Sequence, residues 1–296
     1  MKSSVLVKQS GGVCEFNNSD SWVILSPIEQ SIKRKIEAVG TPLKDWDINI
    51  YRGVLTGYND AFIISTEKRD EILFNCKTEE ERTRTAEIIR PILRGRDIKR
   101  YGYEWANLWL INTHNGIKGK LPRIKIEDYP VVKVHLEQYW DQIEKRADQG
   151  NTPYNLRNCA YMEDFSKPKI VYPNMTKYMP FFYDNQGFYT NQKCFIITGS
   201  YIAYLTAFLN SSLFKFCFRE SFPELQGGTR EMSKIFFAKI PVIRISMEQE
   251  YLFAEKVKDI QENYTKSKAI EIDTMVFDLY KLDTKERENI GFIEIS

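Results

Sequence analysis

The sequence predicts an α+β fold, in which a mixed α/β body ends in an antiparallel helical appendage. Three observations predict it. Short apolar runs of strand length crowd the middle of the chain: NLWLIN (Asn107–Asn112), KIVYP (Lys169–Pro173), PFFYD (Pro180–Asp184) and KCFIIT (Lys193–Thr198). Apolar residues at helical spacing appear both before and after those runs. From Ser246 onward only helical periodicity remains, and the charge turns acidic, with seven basic against twelve acidic residues.

Each element has its own signal. VLV at Val5–Val7 and WVIL at Trp22–Leu25 read as short strands. Ser26-Pro27 then opens a helix: serine can cap, proline suits the first position, and Glu29 completes a capping box. Ile28, Ile32, Ile36 and Val39 recur at helical spacing, Lys33, Arg34 and Lys35 lie outward, and Gly40 stops the helix. Trp46–Thr66 predicts a strand–turn–strand hairpin, with Gly57 and Asn59 where the loop needs positive φ. Helices follow at about Glu67–Phe74 and Glu79–Ile89, ended by Pro91 and the RGRD loop. His114–Lys125 is a Gly/Lys loop without apolar periodicity.

Asp128–Arg146 predicts one long helix opening at Pro130, with Val131, Val134, Leu136, Tyr139, Trp140 and Ile143 on its buried side. Tyr201–Arg219 is helical and apolar enough to be buried, Phe222–Glu231 is an irregular loop, and KIPVI (Lys239–Ile243) ends the body. Met247–Tyr264 and Ile270–Leu282 are amphipathic helices separated by Thr265–Lys268, and Asp283 with Glu286 caps a last short helix.

Composition removes several classes of function. Hydrophobic residues at 43% and aromatics at 14% supply a sizeable core and exclude disorder. No apolar run approaches the ~18 residues of a membrane span. The N-terminus lacks the apolar stretch and cleavage site of a secretory signal. Five scattered cysteines read as reduced thiols in a cytoplasmic protein. With two histidines and no Cys-x-x-Cys, a zinc site has no support, and no metal ligands are assigned.

Catalysis has one weak candidate. Asp97-Ile-Lys99 matches the acid-x-Lys half of a metal-dependent nuclease centre, with Glu87 or Asp70 as partner acids. Asp97 sits among arginines, however, and reads better as a loop-ordering partner of Arg94 or Arg100. His135 falls in the long helix and reads as structural; His114 lies in the basic loop within reach of a polyanion. No catalytic residue is assigned.

Charge distribution is the stronger clue. The net charge is +2, but Arg82–Lys125 alone carries eleven Lys/Arg against three acids. In RPILRGRDIKRYGY (Arg90–Tyr103), Gly95 keeps the clustered cations from forming a continuous helix. Cations on loops beside a β scaffold suit a phosphate-tracking surface. The candidates for DNA backbone anchoring are Arg94, Arg96, Lys99, Arg100, Lys118, Lys120, Arg123 and Lys125, with main-chain N–H groups around Thr56 and Gly57. Bases are distinguished by bidentate groups in the major groove, so candidates for base reading are long polar side chains on loops. These are Asn151, Asn155 and Arg157; Asn174 and Lys177; and Gln226, Thr229 and Arg230, beside Gly227-Gly228.

In this order, GVLTGYNDAFI, RPILRGRDIKRY, KIVYPNM, GFYTNQKCFIIT, YLTAFLNSSLFKF, GGTRE, KIPVI and IDTMVFDLYKLDTKE resemble the TaqI-like C-terminal specificity domain. That domain is the target-recognition part of type IIG restriction-modification adenine methyltransferases. The resemblance runs from about Pro27 to Glu288. It implies lead-in strands and a first helix over 1–46, a DNA target-recognition domain over 47–245, and a helical spacer or docking region over 246–296. It also implies double-stranded DNA as the ligand. A methyltransferase domain or subunit would methylate adenine with S-adenosylmethionine, and Mg would serve any fused nuclease.

The methyltransferase motif Asn/Asp-Pro-Pro-Tyr/Phe does not occur in this chain; YPNM (Tyr172–Met175) comes nearest and lacks the paired prolines. No strand leads through a glycine-rich turn into a helix that would suit the cofactor. The expectation is therefore a recognition element that is no enzyme alone, a fragment or split subunit working with a catalytic partner. The alternatives are a stand-alone specificity subunit of a type I-like system and, more remotely, a self-sufficient nuclease.

Overall fold

Helix α1 (Pro27–Val39) opens the structure, a computed structural model that describes residues 26–294. The strands expected at Val5–Val7 and Trp22–Leu25 lie outside the described residues. The capping box is formed: Ser26 Oγ accepts from the Glu29 amide and the Glu29 carboxylate accepts from the Ser26 amide. After α1 come β1 (Gly40–Pro42), β2 (Ile48–Arg52), α2 (Asn59–Phe62), β3 (Ile63–Ser65), α3 (Thr66–Phe74) and α4 (Glu79–Ile88). Next are β4 (Ile89–Leu93), β5 (Ile98–Lys99), β6 (Gly102–Tyr103), β7 (Leu108–Ile111), α5 (Pro130–Glu137) and α6 (Trp140–Ile143). Five strands follow, β8 (Lys169–Pro173), β9 (Met175–Thr176), β10 (Phe182–Asp184), β11 (Tyr189–Thr190) and β12 (Cys194–Gly199). The body ends with α7 (Ile202–Asn210), α8 (Ser212–Phe218), β13 (Arg230–Glu231), α9 (Lys234–Phe237) and β14 (Pro241–Ile243). The tail is α10 (Met247–Glu262), α11 (Lys266–Leu279) and α12 (Thr284–Ile290).

A four-stranded antiparallel sheet, in the order β10-β8-β12-β2, divides two apolar cores. The period of two in a strand decides which residue serves which core. Ile50, Ile170, Tyr172 and Ile197 face one; Val171, Phe182, Cys194 and Ile196 face the other. With both faces covered, all five residues of β8 are buried, which explains its continuous apolar run. Lys169 and Asp184 stand opposite one another in this sheet, fully buried and 2.5 Å apart. Their remaining groups are satisfied: Lys169 donates to Phe165 O, and Asp184 accepts from the Gln186 and Phe188 amides. Burial pushes the Lys169 ammonium below its usual range, and Asp184 opposes that shift.

The second four-stranded sheet, β11-β4-β7-β3, contributes Ile64, Ile89, Leu93 and Leu110 to the core that it shares with α5 and α6. On the other side of the central sheet, the tail folds back onto α7. Phe253, Val257 and Ile260 of α10, with Ala269, Ile272 and Val276 of α11, join the same core as Ile32 and Ile36 of α1. The short connection Asn263–Thr265 makes α10 and α11 a helical hairpin, as the sequence predicts.

Five expectations are corrected. Trp46–Thr66 is not a hairpin, because β2 pairs with β12 and β3 with β7, in different sheets. The intervening chain crosses between them at Gly53, where an added Cβ would lie 2.0 Å from Asn191 O. Gly57 does take φ of 69°, but Asn59 begins a helical turn instead of sharing a loop. Pro91 ends no helix; it lies within β4, opposite Trp109. The long helix expected over Asp128–Arg146 breaks at Tyr139 (φ −113°, ψ 21°), and Ser211 splits Tyr201–Arg219 by capping α8. In both cases the apolar spacing continues across a break that only tertiary packing specifies.

Candidate nucleic-acid interface

The Arg94–Lys99 turn is built by its acid. Asp97 is 4% exposed and accepts from the Arg94 amide, Nε and Nη2 at 2.8, 3.0 and 2.8 Å, a bidentate fork. The loop-ordering role expected of Asp97 is thus the one that it has. Gly95 lets the turn press against the body, since a Cβ there would lie 3.2 Å from Lys193 O and 3.3 Å from Pro173 Cβ. The turn leaves Arg96 and Lys99 exposed; Lys99 faces Glu104 at 3.3 Å across solvent, a weak restraint. Arg100 is corrected. It is buried and donates to Ile293 O and Asn210 O, tying the turn to the tail instead of reaching a phosphate.

Beside this turn lies an open hollow of about 550 Å³. Arg94, Arg96, Lys99 and Lys193 line it together with Asn174, Met175 and Tyr178. The Asn174 main chain is pinned twice, donating to Lys193 O at 2.8 Å and accepting from the Met232 amide at 2.8 Å. Lys177 is exposed, with its ammonium 5.9 Å from the Tyr178 ring centroid. β13 pairs with β9 at the same edge and carries the Phe222–Glu231 loop. At its tip Gly227 and Gly228 have φ of 75° and 77°, with Gln226 exposed and Thr229 half-buried. Arg230 is corrected: it is 5% exposed and bonds Glu220, Glu224 and Phe222 O, so it holds the loop from inside and offers no edge to a base.

A second hollow, of about 750 Å³, lies between Asn115–Arg123 and Asn158–Ala160. Gly116 and Gly119, both at φ of 76°, shape a tight turn closed by the Ile117–Leu121 bridge, with Lys118 and Lys120 exposed on it. Arg123 and Lys125 are exposed just beyond it. Asn115 joins this turn to the neighbouring loop by donating to Asn151 Oδ1 and Asn158 Oδ1, and by accepting from the Asn151 amide. Asn151 stays exposed, whereas Arg157, also exposed, is paired with Asp148 at 2.8 Å. Asn155 is corrected: it is 1% exposed, donates to Ile124 O and accepts from Thr152 Oγ1. Thr56 is corrected too, being buried with its hydroxyl on Asn59 and its carbonyl on Arg146; Gly57 remains exposed. Burial pushes the His114 imidazole below its usual range, and its Nδ1 accepts from the Gly116 amide, so it shapes the turn as a neutral ring. His135 is buried against Ala61 O, a structural histidine.

The sequence reasoning missed the residues between the hollows. Arg52 is exposed and donates to Gln192 O, next to Lys193 of the first hollow. Its neighbour Tyr51 stacks on Tyr161 at 4.2 Å and 2°, next to Ala160 of the second. Burial pushes the Tyr161 hydroxyl up to about 12. Exposed Arg52 thus sits beside Lys193 of the first hollow and near Tyr161, which adjoins the second. The available signal was the strand pair itself: Arg52 lies opposite Phe195, which brings it to the Lys193 end of β12.

Comparison with known proteins places this α+β scaffold in a family. The chain belongs to the family of TaqI-like C-terminal specificity domains, whose model matches residues 90–242. It is therefore a specificity domain, with a DNA-recognition role. Its fold is similar to the type IIL restriction-modification enzyme MmeI, solved in complex with DNA. That match has a TM-score of 0.58 and 11% identity, over 85% of this chain and 36% of that one. The type IIG restriction endonuclease BpuSI also matches, with a TM-score of 0.48 and 15% identity over 86% of this chain and 33% of that one. The chain thus spans about a third of the length of either. Among the described residues no helix is long and apolar enough to cross a membrane.

Proposed function

We infer that this chain reads a specific sequence in double-stranded DNA and positions an adenine-specific methyltransferase on it, as part of a cytoplasmic type IIG-like restriction-modification system. The observation that carries the reading is the set of exposed cations at the two hollows and beside them, read here as one strip: Arg96, Lys99, Lys193, Arg52, Lys118, Lys120 and Arg123. Glycine turns and strand ends hold that strip, so its cations are placed before DNA arrives. Neither hollow suits S-adenosylmethionine, because both are lined by cations and amides without a carboxylate for the ribose hydroxyls. In this reading S-adenosylmethionine, and Mg for any nuclease, belong to the catalytic partner. The tail hairpin α10–α11 supplies that partner's docking side.

The test is fluorescence anisotropy on a random-sequence duplex across a salt series. Affinity should fall log-linearly with salt, with a slope of magnitude roughly 4–6 if about five to seven phosphates are neutralised. A flat salt response would remove the DNA reading altogether.

A further inference from the structure

Resting on the DNA reading above, we propose that Asn174 reads an adenine, and that its carboxamide is a specificity-determining group of this domain. The first hollow offers several polar side chains, and two that could read a base are already committed. Arg94 spends its fork on Asp97, and Asn191 Oδ1 accepts from the Lys193 amide and Cys194 Sγ. The Asn174 carboxamide has no hydrogen-bond partner among the described residues, although the residue is half-buried. Its main chain, by contrast, is fixed from both sides by Lys193 O and the Met232 amide. A rigid backbone carrying an unsatisfied donor–acceptor pair is a preorganised reader: ordering it on DNA costs little beyond the side chain's own torsions.

The walls of the hollow match a duplex edge. Arg96, Lys99 and Lys193 supply positive charge for the flanking phosphates, and Met175 and Tyr178, 45% and 46% exposed, supply apolar contact. Within such a frame the carboxamide selects by pattern. Asn Oδ1 accepts from adenine N6–H while Nδ2 donates to N7; guanine presents two acceptors there and leaves Oδ1 opposed to O6. Discrimination by one such bidentate contact is roughly tenfold to hundredfold.

The experiment is selection of duplexes from a randomised library by the chain and by its N174A and N174D variants, read by sequencing. The wild type should enrich a motif containing an A·T position. N174A should lose that position alone, keeping the others and the salt slope, and N174D should shift it toward cytosine, whose N4–H₂ a carboxylate accepts. Replacing that adenine by 7-deazaadenine should weaken wild-type binding about tenfold and leave N174A unaffected. No side-chain hydrogen bond is lost in either variant, so thermal unfolding should be unchanged; if N174A fails to fold, near-isosteric N174D and the 7-deaza probe carry the test. An unchanged motif in the variants, or loss at a position other than A·T, overturns the assignment of Asn174 while the DNA reading stands. Binding without any enriched motif in the wild type overturns sequence reading itself, and the assignment with it.

Discussion

Arg146 shows how little a cation's sequence context says about its task. It is 6% exposed, donates to the carbonyls of Thr56, Asp148, Pro153 and Asn155, and lies 4.5 Å from the Phe62 ring centroid. Burial pushes its guanidinium down to about 10, yet it stays protonated at neutral pH, and its planar fork ties the Thr56 segment to the Asp148–Asn155 loop. Arg146→Met should therefore leave the Thr56, Asp148 and Pro153 carbonyls without their donor and cost ~3 kcal/mol or more, read as a lowered urea midpoint at unchanged m-value. Arg146→Lys should recover little, because an ammonium cannot reproduce the fork; full recovery would show that charge alone mattered. The same blindness explains the corrections at Arg100 and Arg230. The partner of Arg94 is three residues away and was legible in the sequence; the partner of Arg100 is Ile293, across 193 positions, and left no local trace.

At the level of elements, chemistry that is local in sequence was readable and chemistry set by packing was not. Ser26-Pro27 with Glu29, and Asp283 with Glu286, place helix starts because a cap and its partner lie within one turn. The breaks at Tyr139 and Ser211, and the parting of β2 and β3 into separate sheets, depend on distant neighbours and were missed. Glu286 joins both kinds. Besides capping α12 through the Asp283 amide, it accepts from Ser31 Oγ at 2.8 Å and from Lys35 Nζ at 2.6 Å, clamping α12 to α1. Burial alone would raise its carboxyl, but Lys35, the Asp283 amide and Ser31 outweigh that and hold it below 4.5. A carboxyl depressed on folding gives stability that is fully present above its unfolded value and disappears as pH falls through its folded one. Glu286→Gln should therefore cost roughly 1–2 kcal/mol near pH 7 and progressively less below about pH 4.5, measured by urea unfolding at each pH. A gap that widens in acid would contradict the clamp.

On the scale of the whole molecule, the question is whether two hollows act as one surface. The central sheet makes this physically reasonable, because β2 and β12 run side by side and carry Arg52 and Lys193 at neighbouring ends. Each exposed cation that touches a phosphate releases about one counterion, a sequence-independent contribution that adds from site to site. Lys120→Ala in the second hollow should weaken all duplexes alike and lower the salt slope by about one. Lys193→Ala in the first hollow should do the same, and the double variant should lower it by about two without altering which sequences are preferred. If instead Lys120→Ala leaves both affinity and slope unchanged, DNA passes only over the first hollow, and the turn Gly116–Arg123 serves some other contact. If the two substitutions fail to add on a duplex of about 20 base pairs, the hollows bind alternative stretches of DNA in turn. A continuous strip requires additivity on one duplex, and loss of the Lys120 contribution when the duplex is cut too short to span from Lys193 past Arg52 to the far turn.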